Sequence, residues 1–140
     1  MKEAVRAHLE HAGHQVIDVG TDSPEPVDYP EIVQALCEAI RRGEAELGIV
    51  LCGSGVGVCI AANKMRGIRA ALCHDTFSAR NAREDDDANV LCMGGRVIGA
   101  GLAADVTDRF VQCTFSEEAR HRRRVDKVLA MEAAMCSQSV

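Results

Sequence analysis

A thiol followed by three alternating glycines, Cys52-Gly53-Ser54-Gly55-Val56-Gly57, stands where an apolar run (Leu47, Ile49, Val50, Leu51) gives way to a string of small residues. Glycines at this spacing let the backbone turn back on itself and bring several amide N–H groups toward one point, at the positive end of the helix that follows. Such a loop holds an anion, either a phosphate or an oxyanion formed during reaction. A thiol at its lip is expected to ionise readily and to serve as a base or a nucleophile, which makes Cys52 the first candidate for chemistry. The pattern is of moderate specificity: it is neither the Gly-x-Gly-x-x-Gly of dinucleotide loops nor the Gly-Lys-Ser/Thr of triphosphate loops. The same residues also make a tight strand-to-helix turn around a buried cysteine.

The elements that must position this loop alternate along the chain. Residues 2–12 read as a helix with Val5, Leu9 and Ala12 on one side and Gly13 as its stop, and His14–Gly20, with Val16, Ile17 and Val19, reads as a short strand. Pro30 opens a second helix whose apolar stripe is Ile32, Val33, Leu36, Cys37 and Ile40, ended by Gly43. Strands are predicted at 47–51, 68–73 and 89–93, helices from near Val56, Thr76 and Ala100, and a last helix over 116–135 with Glu117 and Glu118 at its positive end. Apolar strands separated by helices mean a single α/β domain over 1–140, a parallel sheet covered on both faces. Sheets of this kind take their ligand at the carboxyl ends of the strands, where Cys52, His74 and Gly94-Gly95-Arg96 fall.

Composition narrows the class further. At 47% apolar residues the 140-residue chain has enough for one core, built from Val, Ile, Leu, Ala and Cys because aromatics make up only 3%. Seven cysteines, an odd number without a Cys-x-x-Cys pair, suggest neither a disulfide framework nor a zinc site, and fit a reducing cytoplasm. His8, His11 and His14 form no convincing metal set. No apolar stretch is of membrane-spanning length and no signal-peptide core is present, so no membrane partner is expected. A net charge of −5 argues against nucleic acid as the main partner.

The ordered blocks Val-Ile-Asp-Val-Gly-Thr (16–21), Asp-Tyr-Pro (28–30), Cys-Gly-Ser-Gly-Val-Gly (52–57), Ile-Ala-Ala-Asn-Lys (60–64), Gly-Ile-Arg-Ala-Ala-Leu-Cys-His-Asp (67–75), Asn-Val-Leu (89–91), Gly-Arg-Val-Ile-Gly (95–99) and Arg-His-x-x-Arg (120–124) run nearly end to end. Through them the chain resembles the ribose-5-phosphate isomerase B and galactose-6-phosphate isomerase family, and Cys52 favours the ribose branch. The resemblance implies a flavodoxin-like, five-stranded, three-layer α/β/α fold with a C-terminal helix. It also implies a homodimer or homotetramer with shared sites, and interconversion of ribose 5-phosphate and ribulose 5-phosphate without metal or cofactor. On this basis Cys52 is the base between C1 and C2, and Gly53, Ser54, Gly55, Val56 and Gly57 hold the enediolate. Arg96, Arg120 and Arg124 bind phosphate and substrate, the last two typically reaching a neighbouring subunit's site; four residues apart, they share one helix face.

Two departures from the family's pattern bear on activity. The family's first strand, ending in an Asp-His-Ala-Gly-like motif, has no counterpart here, because Met1 aligns inside the helix that follows it. The true start is therefore expected upstream, and the 140-residue form is expected to be poorly soluble and inactive. The second departure is Asp85, which stands where the family has the histidine that helps to open the sugar ring. A carboxylate donates a proton there only if burial or its neighbours, Asp86 and Asp87, keep it protonated; Asp86 is expected to contact substrate hydroxyls. His74, near the same edge, is a second candidate for ring opening but reads first as a strand-end histidine that only shapes the loop; Tyr29 reads equally as a substrate contact or a helix cap, while Cys59, Cys73, Cys92 and Cys113 fit core positions. The basic run 120–124 reads as a phosphate grip or a solvated face. Alternatives to the pentose isomerase are a six-carbon sugar-phosphate isomerase (allose or galactose type), a non-catalytic sugar-phosphate-binding paralogue, and a structural subunit of a hetero-oligomer.

Overall fold

Three parallel strands carry the candidate loop: β1 (Gly48–Cys52), β2 (Ala70–Leu72) and β3 (Val90–Gly94), in the order β1-β3-β2. The computed structural model describes residues 1–138. Around the sheet lie six helices, α1 (Lys2–His11), α2 (Tyr29–Arg41), α3 (Val56–Ala62), α4 (Thr76–Glu84), α5 (Ala100–Gln112) and α6 (Ala119–Ser137). Side chains alternate across a strand, so the sheet presents two apolar faces. Ile49, Leu51, Leu91 and Met93 pack with Val5 and Leu9 of α1, Ala79 and Ala82 of α4, and Ala103, Val106 and Phe110 of α5. Val50, Cys52, Val90 and Cys92 pack with Val33 and Cys37 of α2 and with Val58 and Ala62 of α3. This is the three-layer α/β/α arrangement that the sequence predicts, with β3 buried along its whole length.

Register fixes where the strands end. Gly48 pairs with Val90 and Cys52 with Gly94, so Cys52, Gly94 and His74, two residues beyond β2, share the carboxyl edge. His74 ties this edge together, because its Nε2 accepts the Gly94 N–H at 2.8 Å. On the far side of the molecule His8 Nε2 lies 2.7 Å from Asp108 Oδ1, joining α1 to α5.

The segment 14–20 differs from its predicted form: it is not a strand, and the sheet has three strands among the described residues rather than five. β1 pairs with β3 alone, and its other side faces a cleft of about 360 Å³ walled by Val16, Ile17 and Val19 opposite Ile49, Val50 and Leu51. An alternating apolar sequence becomes a strand only when a neighbour accepts its backbone, and across this cleft none is within reach. Smaller differences follow the same logic. The predicted strand 68–73 is paired only over Ala70–Leu72, and the last helix starts at Ala119, after Ser116 turns onto Glu84 through a 3.0 Å backbone hydrogen bond. Of the cysteines expected in the core, Cys73 and Cys92 are buried, whereas Cys59 and Cys113 are half-buried.

Candidate active site

Cys52 ends β1 with its side chain on the α2–α3 face, half-buried. The chain then turns through Gly53 and Ser54, and Gly55 caps α3 with φ of 78°. A Cβ at Gly55 would lie 2.6 Å from Leu72 Cδ1 and 2.8 Å from the Met93 carbonyl carbon, so both the dihedral and the space require glycine. The turn brings the Gly55 N–H onto Cys52 Sγ at 3.0 Å, a donor for whatever negative charge the sulfur carries. Ser54 Oγ accepts the Val56 N–H at 3.2 Å. The amides of Gly57 and Val58 belong to the first turn of α3 and have no partner within the helix.

Three side chains frame this loop. The Arg96 guanidinium lies over Gly53, with Cζ 3.7 Å from the point a Cβ would occupy, and the Arg96 N–H donates to Gly53 O at 3.0 Å. Tyr29 lies across Gly57, where a Cβ would come 2.8 Å from the ring. Met1 reaches in from the start of α1, its Cβ 3.6 Å from the corresponding point on Gly95. His74 lies at the same edge, but its Nε2 is committed to the Gly94 N–H. Buried thiols behind the loop are of a different kind: burial pushes Cys73 up to about 11 and raises Cys92 further.

The remaining predicted residues gather elsewhere. Asp85 caps the end of α4, and Asp86 follows it in the turn that leads into the amino end of β3. The length of β3 thus separates them from the Cys52 edge, about 13 Å along the strand. Arg124, on α6, joins Asp86, Arg66 and Arg69 in lining a second cleft, of about 570 Å³. Arg120 points its Nε at Glu118 Oε2, 3.2 Å away, and at His121 Nε2, 3.3 Å away. One chain therefore carries two clusters on opposite edges: Cys52, Gly53–Gly57 and Arg96 on one, and Asp85, Asp86, Arg120 and Arg124 on the other.

In sequence His121 belongs to a basic run, yet it is 6% exposed and sits at the centre of the second cluster. Its Nδ1 is 2.6 Å from Ser116 Oγ and its Nε2 is 3.6 Å from Asp85 Oδ1. The available signal was its fixed place in the Arg-His-x-x-Arg block, masked by the arginines around it.

A thiol, an amide-rich turn and an arginine converge at the carboxyl edge of a parallel α/β sheet, the chemistry that would suit a small anionic ligand. The chain belongs to the Ribose/Galactose Isomerase family, whose model matches residues 1–128. It is similar to ribose-5-phosphate isomerase B of Escherichia coli, 42% identical over 132 residues that cover 94% of this chain and 88% of that protein. It is also similar to D-erythrulose-4-phosphate isomerase of Pectobacterium atrosepticum, 41% identical over 82% of this chain and 76% of that one. The structure matches that of Clostridium thermocellum ribose-5-phosphate isomerase B with a TM-score of 0.92 and 43% identity, over 96% of this chain and 90% of the other.

Proposed function

We propose that this chain is an aldose–ketose isomerase that interconverts ribose 5-phosphate and ribulose 5-phosphate. The observation that carries this reading is the sulfur of Cys52 at the mouth of the amide turn, with the Gly55 N–H 3.0 Å from it. Cys52 takes the proton from C2 of the open-chain aldose and returns it to C1, while the hydroxyl proton of O2 passes to O1. The enediolate oxygens formed in between face the turn Gly53–Gly57 and the Ser54 hydroxyl, donors placed where the charge develops. Arg96 lies on the same edge and is suited to hold the anionic end of the sugar.

Asp85, Asp86, Arg120 and Arg124 complete the site from a second copy of the chain, because their own Cys52 is on the opposite edge of the sheet. Val56 and Ile60, one turn apart on α3, are 46% and 58% exposed beside the Cys52 turn, an apolar surface for that copy to cover. The seven free cysteines suit a reducing compartment such as the cytoplasm, and among the described residues no helix is long and apolar enough to cross a membrane.

The test is to incubate the purified chain with ribose 5-phosphate and follow ketose formation, an activity that would also overturn the expectation that the 140-residue form is inactive. Replacing Cys52 with Ala is expected to lower kcat by at least about 100-fold, the usual contribution of a positioned general base. A Cys52→Ala variant as active as its parent would overturn the assignment.

A further inference from the structure

We propose that His121 supplies Asp85 with the proton that opens the sugar ring, and that Arg120, on leaving the imidazole for the substrate phosphate, releases His121 for this role. The inference rests on the isomerase reading above. Asp85 and the Ser116–His121 pair, about thirty residues on in sequence, are fixed in line by backbone contacts. Ser116 N–H donates to Glu84 O at 3.0 Å, Asp85 N–H donates to Asn81 O at 2.8 Å, and Glu118 N–H donates to Ser116 Oγ at 3.3 Å, which leaves the serine proton free to turn toward His121 Nδ1, 2.6 Å away. The hydroxyl end is exposed, the imidazole is buried, and the Asp85 carboxyl, 39% exposed, lies between the imidazole and solvent. This is the layout of a relay: only its outer ends meet water or substrate.

His121 Nε2 faces two groups that ask opposite things of it. Arg120 Nε–H, at 3.3 Å, needs a lone pair, whereas Asp85 Oδ1, at 3.6 Å, needs a proton. One nitrogen cannot do both. At these distances the arginine holds it and the carboxylate is just out of hydrogen-bond reach. The Arg120 side chain is 60% exposed and is otherwise held by Glu118 alone, so a phosphate competes well for it. Once it leaves, Nε2 is free to carry a proton toward Asp85.

Ribose 5-phosphate needs such a proton because in its furanose form C1 carries no carbonyl. In the proposed step the Asp85 carboxyl gives its proton to the ring oxygen, and the C1–O4 electron pair stays on that oxygen. The O1–H electron pair becomes the second bond of the C1 carbonyl, and that proton leaves to water. Once Arg120 has left, Nε2 takes a proton from water as Nδ1 returns one to solvent through Ser116. Nε2 then passes its proton to Asp85 while Nδ1 takes one from the Ser116 hydroxyl, itself replenished from water, which restores the starting tautomer. One proton enters and one leaves, as an isomerisation requires.

Ring opening can be read apart from isomerisation in the Cys52→Ala chain, which keeps Asp85, His121 and Ser116 but lacks the base. Exchange between the α and β furanose forms of ribose 5-phosphate, followed by NMR, is expected to be accelerated by this protein. The added substitution His121→Asn or Ser116→Ala is expected to cut the acceleration at least about tenfold, the lower range for a proton-transfer group. With Cys52 present, the same substitutions are expected to cost at least about tenfold more in kcat/KM on ribose 5-phosphate than on erythrose 4-phosphate, whose C4 oxygen bears the phosphate and cannot close a furanose. Equal losses on the two sugars, or anomer exchange indifferent to His121 and Ser116, would overturn the relay and leave the isomerase reading standing. A Cys52-bearing chain that converts neither sugar would overturn both.

Discussion

At Gly55 a single backbone dihedral decides whether the thiol has a donor beside it. Its φ of 78° is what aims its N–H back at Cys52 Sγ, and there is no room for a side chain between Leu72 and the β3 backbone. Gly55→Ala is expected to destabilise the fold by about 1–3 kcal/mol, the cost of holding a strained dihedral, and to lower kcat at the same time. Urea denaturation and ketose formation measured on the same sample check this; unchanged kcat in a folded variant would mean that the Gly55 amide has no part in the chemistry. Cys52 and its glycines were legible in sequence because their spacing is local. The pairing of Asp85 with His121 was not, because 36 positions separate them and the turn of Ser116 onto Glu84 brings them together.

Among the elements, β1 and β3 show why apolar patterning is reliable in the interior and unreliable at an edge. Both strands were legible as near-continuous apolar runs, since helices cover each on two faces. The segment 14–20 carries the same kind of pattern but faces a cleft instead of a partner, so the pattern was present and the strand was not. Gly48 N–H donates to Asn89 O, and alternation then sends the Ile49 and Leu51 N–H groups away from β3, toward that cleft. Hydrogen exchange is expected to be at least about tenfold faster at Ile49 and Leu51 than at Val50 or along β3, reflecting fewer protected amides at an open edge. Comparable protection would show that the outer edge is covered.

The same region is tied down by charge. Lys2 Nζ is 2.9 Å from Asp18 Oδ2 and donates to Thr21 O at 2.9 Å, linking α1 to the unpaired segment. The hydrogen bond from Lys2 is the main reason that the Asp18 carboxyl is held below the usual carboxylate range, with help from the Gly20 N–H. A carboxyl lowered on folding stabilises the protein above its unfolded value, about 3.9, and that contribution fades as pH falls through the lower folded value. Lys2→Met is therefore expected to lower the urea midpoint slightly at pH 7 and to have a vanishing effect once Asp18 is protonated. A difference that persists unchanged in acid would assign the effect to packing instead.

For the whole molecule, the decisive feature is that the two clusters sit at opposite ends of the same sheet. On the two-copy reading proposed above, a two-fold pair bringing one chain's carboxyl edge to the other chain's amino edge would form both junctions at once, so two copies would make two equivalent sites, each assembled from halves. The arrangement has a genetic signature. Cys52→Ala breaks one half and Arg124→Ala the other, and each variant alone is expected to be nearly silent. Unfolded together and refolded, about half of the pairs should be mixed, and each mixed pair carries one junction with both halves intact, so about a quarter of the parental rate should return. A mixture no more active than its two ingredients would show that each chain works alone. If the rate does return, two alleles damaged at different ends would rescue each other in one cell, and a lesion would have to be judged by which end of the sheet it strikes.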